Sequence, residues 1–227
     1  MRKCAAGLML LCLLQISLSL EAQPLVKTSH KAYDSYYDLS TRNPALVVWH
    51  LDFEDFKGNL KPSTRRFKTD TQLPPPRVKD KDLKGSGYVR GHLCPAGDRD
   101  TDKGLLKETY LTSNMAPMTM VCNSGSWKIV EDSCRILAKR HGKLIVAAGP
   151  IFLDDSLGVH KVKGISVPAA FFRIARCTTH PEHMWVWLVQ NSRSETKQVR
   201  IDVSVLQDVL QARPVILSIL KYHGLID

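Results

Sequence analysis

The chain has 227 residues, of which 44% are hydrophobic, and a formal net charge of +10 at pH 7. This length and composition suffice for one good hydrophobic core, and the lack of internal repeats or low-complexity tracts in the sequence excludes repeat architectures. The positive charge favours a polyanionic partner such as nucleic acid, although excess lysine can also serve solubility alone.

The N-terminus carries two basic residues, an apolar run at 5–18, and small or polar residues ahead of Gln23. This pattern predicts a secretory signal peptide over residues 1–22, followed by a single domain over residues 23–227. An uncleaved membrane anchor is the less favoured alternative, because a spanning helix needs roughly 20 apolar residues. We therefore expect an exported protein, periplasmic or extracellular, without stable membrane association and either monomeric or homodimeric.

Four short apolar segments predict the strands of a central sheet. The segment 46–51 is rich in β-forming residues, and the segment 144–148 is apolar throughout, which indicates burial on both faces. Ala170–Cys177 and Met184–Gln190 flank a short turn and predict an antiparallel hairpin with one basic side.

A main helix is predicted at 126–140, because its apolar residues recur at spacings of three or four while charged residues occupy the other faces. Shorter helices are predicted at 204–211 and, after a break before Pro214, at 215–222. The expected fold class is therefore α+β, with a mixed or antiparallel central sheet and packed helices.

The most informative segment runs from Tyr88 to Arg99 and reads Y-V-R-G-H-L-C-P-A-G-D-R. Arg90 and His92 are one glycine apart, so on an extended segment both side chains project to the same side, and Gly91 would let a phosphate backbone approach closely. With Asn123 and Glu131 downstream, a base, a metal ligand and phosphate-binding cations occur close together in the sequence. That combination indicates a nuclease.

This segment resembles the signature of the DNA/RNA non-specific endonuclease family, the ββα-metal nucleases, which usually reads Asp-Arg-Gly-His followed by a hydrophobic residue and Pro or Ala. The segments Y-L-T-S-N-M-A-P at 110–117 and N-S-G-S-W at 123–127, with Glu131, are similar to further family motifs in the same order. Upstream, T-R-R-F-K-T-D at 64–70 is similar to a basic segment that supplies a phosphate-binding arginine. Several ordered motifs are far more specific than one short match, and the departure at their centre is Val89, where the family has an aspartate.

The resemblance implies a ββα-metal finger and a metal-dependent endonuclease that hydrolyses phosphodiester bonds in DNA and RNA by recognising the phosphate backbone. His92 would be the general base, since the ordinary pKa of histidine is about 6.5. Asn123 would be the one direct ligand of a Mg²⁺ ion that otherwise keeps its waters, with Mn²⁺ able to substitute. Glu131 would hold metal-bound waters. The phosphate would be clamped by three arginines, Arg90, Arg65 and Arg135.

Structural alternatives exist for the same residues. Asn123 ahead of a helix would suit capping, and Glu131 and Arg135 are four residues apart, as in an exposed helix ion pair. Asn114 is expected to orient His92 or its loop.

Two other functions of the protein also remain open. One is a basic nucleic-acid-binding protein of the same fold with weakened catalysis. The other is a zinc site, disfavoured because there is no Cys-x-x-Cys pair, built from His92 or His141 with Cys94, Cys122 or Cys134.

Four of the six cysteines remain after the predicted cleavage: Cys94, Cys122, Cys134 and Cys177. An even count in an oxidising compartment suggests disulfides, with three pairings open. If His92 and Asn123 meet at one metal, Cys94 and Cys122 are drawn together, so a bridge between those two is one expectation and buried thiols are the alternative.

Overall fold

The computed structural model describes residues 25–60, 66–153 and 160–227. The predicted signal peptide and Arg65 lie outside these described residues. Within them, no helix has the length and apolar character needed to cross a membrane.

The described strands are, in chain order, β1 (Val26–Ser29), β2 (Asp34–Asp38), β3 (Asn43–Leu51), β4 (Val89–His92), β5 (Met115–Met118), β6 (Leu144–Ile151), β7 (Lys161–Val162), β8 (Ile165–Ser166), β9 (Ala170–Cys177), β10 (Met184–Gln190) and β11 (Val199–Ile201). Seven of them form one sheet in the order β1-β2-β3-β6-β9-β10-β11, and every neighbouring pair in it is antiparallel. The pairs β4-β5 and β7-β8 stand apart from this sheet. The predicted α+β class is confirmed, with the sheet antiparallel.

The described helices are α1 (Phe53–Phe56), α2 (Lys103–Glu108), α3 (Met120–Ser124), α4 (Ser126–His141), α5 (Val203–Val209) and α6 (Pro214–Tyr222). Helix α4 matches the predicted main helix, because its buried residues recur at helical spacing. It ends at Gly142, whose φ of 81° is in the left-handed region, and its last turn is basic, which complements the partial negative charge of a helix C-terminus.

The sheet is buried on both faces. Alternate residues of its central strands enter two separate hydrophobic cores, as with Val146 and Phe171 in one and Ile145 and Phe172 in the other. The first core lies between the sheet and α4, and the second lies under α5 and α6. The prediction that residues 144–148 are buried on both faces is therefore confirmed, and the first core is the one on which the candidate site is built.

Candidate active site

The finger consists of the antiparallel pair β4-β5 followed by α3 and α4. Strand β4 pairs antiparallel with β5 and places His92 opposite Met115. The indole Nε1 of Trp127, in the first turn of α4, donates a hydrogen bond of 2.9 Å to the carbonyl oxygen of His92. Strand and helix are thereby fixed to each other at the residue expected to carry the chemistry.

Gly91 has a different reason to be glycine from the one predicted. The residue is buried, and a Cβ at this position would come within 2.6 Å of the Met118 side chain on β5. The prediction that Gly91 admits a phosphate backbone is therefore wrong, since the side of the strand that lacks a Cβ is filled by a methionine. Close packing of the two strands of the finger requires this glycine.

His92 and Arg90 do project into one cavity, of about 760 Å³, as their spacing predicts. The His92 ring stands edge-on to Tyr110, with ring centroids 4.9 Å apart, and is 5.7 Å from the ring of Phe67. The Arg90 guanidinium lies 4.3 Å from the centroid of Phe67 and donates through Nη1 to the carbonyl oxygen of Asp80 at 3.1 Å. These aromatic contacts restrict how the imidazole and the guanidinium can turn in the cavity.

A second cavity, of about 290 Å³, adjoins the first and is lined by His92, Asn123, Glu131 and Arg135. His92 and Asn123 line both cavities. Three residues predicted from two motifs, at positions 92, 123 and 131, therefore share this second cavity, a small polar chamber. Arg65 lies outside the described residues and cannot be placed there.

The second cavity suits a cation that keeps most of its water. Among the described residues, no group of three or more His, Cys, Asp or Glu side chains is arranged to hold a metal. A water molecule occupies about 30 Å³, so a chamber of 290 Å³ has room for an ion with several waters. One amide and one nearby carboxylate fit Mg²⁺, which sheds its waters reluctantly.

Asn123 is not a helix cap. It lies inside α3, and the N-cap residue of α4 is Gly125, which has no side chain to offer. The expectation that Asn123 directly precedes the main helix is wrong, because a separate short helix comes first. The capping alternative therefore falls, and the amide lines the chamber.

Glu131 pairs with a residue that the sequence did not suggest. Its Oε1 lies 3.8 Å from Nη2 of Arg173, which is completely buried on β9. Burial raises the pKa of Glu131 to about 7, against the opposing effect of the Arg173 cation. The alternative of an exposed pair with Arg135 is wrong, since the Glu131 side chain is 17% exposed and Arg135 has other partners.

Arg135 is engaged by two carboxylates. Its Nη1 lies 2.7 Å from the buried Asp98, and its Nη2 lies 2.5 Å from Asp132 one turn earlier on α4. Asp98 also accepts a hydrogen bond of 3.1 Å from the indole of Trp49. The Arg135 guanidinium, which was expected to bind phosphate, is thus held by these two carboxylates.

Asn114 fixes the loop that follows His92, as expected. Its Oδ1 accepts from the backbone N–H of Cys94 at 2.8 Å, and its Nδ2 donates to the carbonyl oxygens of Cys94 and Thr109 at 2.8 and 2.9 Å. The side chain is fully buried and all three bonds are to the backbone. Asn114 therefore fixes the conformation of the loop, and its buried side chain does not contact substrate.

All four cysteines of the described chain are free and buried. The disulfide prediction, including a Cys94–Cys122 bridge, is wrong, because each thiol packs into the core between the sheet and α4. Burial raises the pKa values of Cys94, Cys122 and Cys134 to about 12, which keeps them as thiols. The zinc alternative loses its thiolate ligands for the same reason.

The raised pKa of Glu131 predicts how the stability of the metal-free protein varies with pH. The unfolded chain ionises this carboxyl near pH 4.5, whereas the folded chain keeps its proton up to about pH 7. Between those values only the folded state holds the proton, so the free energy of unfolding should fall as pH rises, by up to about 3 kcal/mol. Urea titrations in EDTA should show this fall in the native sequence and not in Glu131→Gln.

The matched control for that measurement is Asp132→Asn. Asp132 is the neighbouring carboxylate on α4 and is 45% exposed, so this variant should keep the fall seen with the native sequence. If the free energy of unfolding varies with pH in the same way in the native chain and in Glu131→Gln, Glu131 is not the origin of the fall.

Comparison with known proteins agrees with this geometry. Residues 16–212 match the family model described as DNA/RNA non-specific endonuclease. The chain belongs to this family. It is 28% identical to human nuclease EXOG over 186 residues, which is 74% of this chain and 50% of that protein. It is 31% identical to a Nostoc nuclease over 163 residues, which is 71% of this chain and 58% of that protein.

A structural relative supports the same assignment. The chain is similar to a protein in the crystal structure of the EndoG/EndoGI complex, with a TM-score of 0.72, 26% identity, and coverage of 81% of this chain and 82% of the other. The family of ββα-metal nucleases implies a divalent metal ion. The chain spans about half the length of the curated relatives it matches.

The names of the relatives correct one prediction. Human nuclease EXOG and bovine endonuclease G are mitochondrial by name, as is Nuclease 1 of Schizosaccharomyces pombe. The prediction of an exported periplasmic or extracellular protein is wrong, because these relatives are mitochondrial nucleases by name. That prediction rested on the N-terminal pattern of two basic residues, an apolar run and small or polar residues.

Proposed function

We propose that this family member is a metal-dependent endonuclease that hydrolyses phosphodiester bonds in DNA and RNA with little sequence preference. The observation that carries the proposal is the chamber of about 290 Å³ in which His92, Asn123 and Glu131 meet. A base, an amide ligand and a carboxylate for water are the groups that hydrolysis of a phosphodiester needs.

His92 is the proposed general base. Its ring lies where the two cavities join, so a water in the chamber and a phosphate in the larger cavity would both be within its reach. The edge-on contact with Tyr110 and the bond from Trp127 to the His92 carbonyl hold the imidazole at that junction. A neutral imidazole there would accept the proton of the attacking water.

Asn123 and Glu131 are the groups proposed to hold the metal, directly through the amide and through water at the carboxylate. The bound ion, for which Mg²⁺ is the proposed choice and Mn²⁺ a substitute, would neutralise charge on the phosphoryl group and on the leaving oxygen. Asn123 opens onto both cavities, which places its amide beside the region where a phosphate would lie.

Arg90 is the proposed phosphate-binding arginine of the described chain. One guanidinium nitrogen binds a backbone carbonyl and the face of the group stacks on Phe67, which leaves further donors directed to the larger cavity. For Arg135 we propose a positioning role in place of direct phosphate contact, because Asp98 and Asp132 occupy both ends of its fork. The prediction for Arg65 stays a prediction.

A digestion assay tests the proposed function. Purified protein should nick supercoiled plasmid, then degrade it, and should degrade RNA, with Mg²⁺ present and not in EDTA. His92→Ala prepared in the same way is the control against contaminating nuclease. If plasmid and RNA stay intact with Mg²⁺ or Mn²⁺ and the protein binds DNA in a salt-dependent way, the proposal of an enzyme is wrong. The protein would then be a nucleic-acid-binding protein of the same fold.

A further inference from the structure

Arg173 is a charged side chain in a position built for an apolar one. It lies in the middle of β9, the strand between β6 and β10, and its neighbours at alternate positions, Phe171 and Ala175, belong to the core beneath α4. It is 0% exposed. A buried charge is costly unless it is paired, so the residue needs a reason beyond filling space.

The contacts of Arg173 are oriented toward the candidate active site. Its Nη2 donates to the carbonyl oxygen of Leu93, the residue after His92, at 2.8 Å and lies 3.8 Å from Oε1 of Glu131. Its guanidinium carbon is 4.4 Å from the ring of Trp127 and 5.2 Å from that of Trp49. Two indoles and a carbonyl therefore fix the cation at one point under the finger.

The hydrogen bonds of the guanidinium are incomplete. Among the described residues, Nε and Nη1 of Arg173 are buried and have no hydrogen-bond partner. A side chain whose purpose was stability would satisfy these donors, because leaving them unpaired costs free energy.

We propose that Arg173 is a positioning residue that holds the Glu131 carboxylate in place for metal-bound water. This inference rests on the proposed function. Arg173 is fully buried and therefore does not touch substrate. Glu131 is the member of the pair that lines the chamber.

Three variants test the proposal on one DNA duplex at fixed ionic strength and saturating Mg²⁺. Arg173→Met should lower kcat about 10–100-fold, the usual cost of losing a group that supports metal ligands, and leave KM within about twofold. Arg173→Lys, which keeps the charge, should recover part of that loss. Equal kcat values for the methionine and lysine variants would overturn the proposal.

The double variant Arg173→Met with Glu131→Gln keeps the test valid if Arg173→Met folds poorly, because it leaves no unpaired buried charge. If Arg173 acts through Glu131, the double variant should have the kcat of Glu131→Gln alone. A kcat lowered by the product of the two single effects would overturn the proposal. The matched control is Arg176→Met, on the same strand and paired with the C-terminal Asp227, and it should leave kcat unchanged.

Binding of Mn²⁺ to the free enzyme, measured by electron paramagnetic resonance, provides a readout that does not depend on cleavage. The affinity should fall about 10-fold in Arg173→Met and stay at the native value in Arg176→Met. Unchanged affinity in Arg173→Met would overturn the inference. Failure of the native chain to cleave would instead contradict the proposed function.

Discussion

Replacing His92 by alanine should lower the turnover number on DNA by about 10²–10⁴, the range that a positioned general base contributes. The imidazole lies where the two cavities join, and its ring packs against the rings of Tyr110 and Phe67. The turnover number is measured by steady-state kinetics on one duplex at fixed ionic strength. DNA binding by the same protein is measured by electrophoresis.

DNA binding by His92→Ala should be nearly unchanged, because the proposed phosphate contact is made by Arg90 and the chain keeps its net positive charge. Added imidazole should restore part of the rate, since the cavity of about 760 Å³ admits a molecule of that size. His50→Ala is the matched control, as His50 lines a different cavity. Equal losses of binding and of turnover would reassign His92 to a structural role.

Replacing Asn123 by alanine should raise the Mg²⁺ concentration that gives half-maximal rate by about 100-fold or more. Groups that merely support metal ligands are worth about 10–100-fold, so a direct ligand should reach at least the upper end. Asn123 caps no helix, and thermal unfolding should therefore be little affected. Metal titrations of the cleavage rate and melting curves on the same preparations separate affinity from stability.

The control for Asn123 is Ser124→Ala, one residue further along α3 and lining the same two cavities. The Mg²⁺ concentration that gives half-maximal rate should be the same in Ser124→Ala as in the native chain. If both variants raise the required Mg²⁺ equally, the effect belongs to the integrity of α3. If Asn123→Ala unfolds at a lower temperature than the native chain but needs the same Mg²⁺ concentration for half-maximal rate, the amide has a structural role and is not a metal ligand.

The sequence by itself determined the elements whose pattern is local. Partial alternation over Ala170–Cys177 and the run of β-forming residues over Met184–Gln190 predicted strands with the observed bounds, and the three- and four-residue spacing of apolar residues predicted α4. Burial of one face imposes these periods on consecutive residues, so they can be read without knowing the partner. The short polar strands β1 and β2 carry no such period and were missed.

Part of the candidate site could also be predicted from the sequence. His92, Asn123 and Glu131 share one chamber because β4 pairs with β5, and β5, α3 and α4 then follow one another in the chain. The partners of the charged groups were not predictable in this way. Arg135 was placed with Glu131 by helical spacing, whereas Asp98, brought in from a separate turn, lies closer to it.

Tertiary structure alone decided the charge environment beneath the finger. Arg173 is 42 positions from Glu131, and the two meet because the register of β9 against β6 points this residue toward α4. One signal was present in the sequence: Arg173 is the one charged residue among the positions of β9 that alternate with Phe171 and Ala175. Its meaning depends on which helix covers that face, since the free energy of a buried charge is set by its partners and not by its own segment.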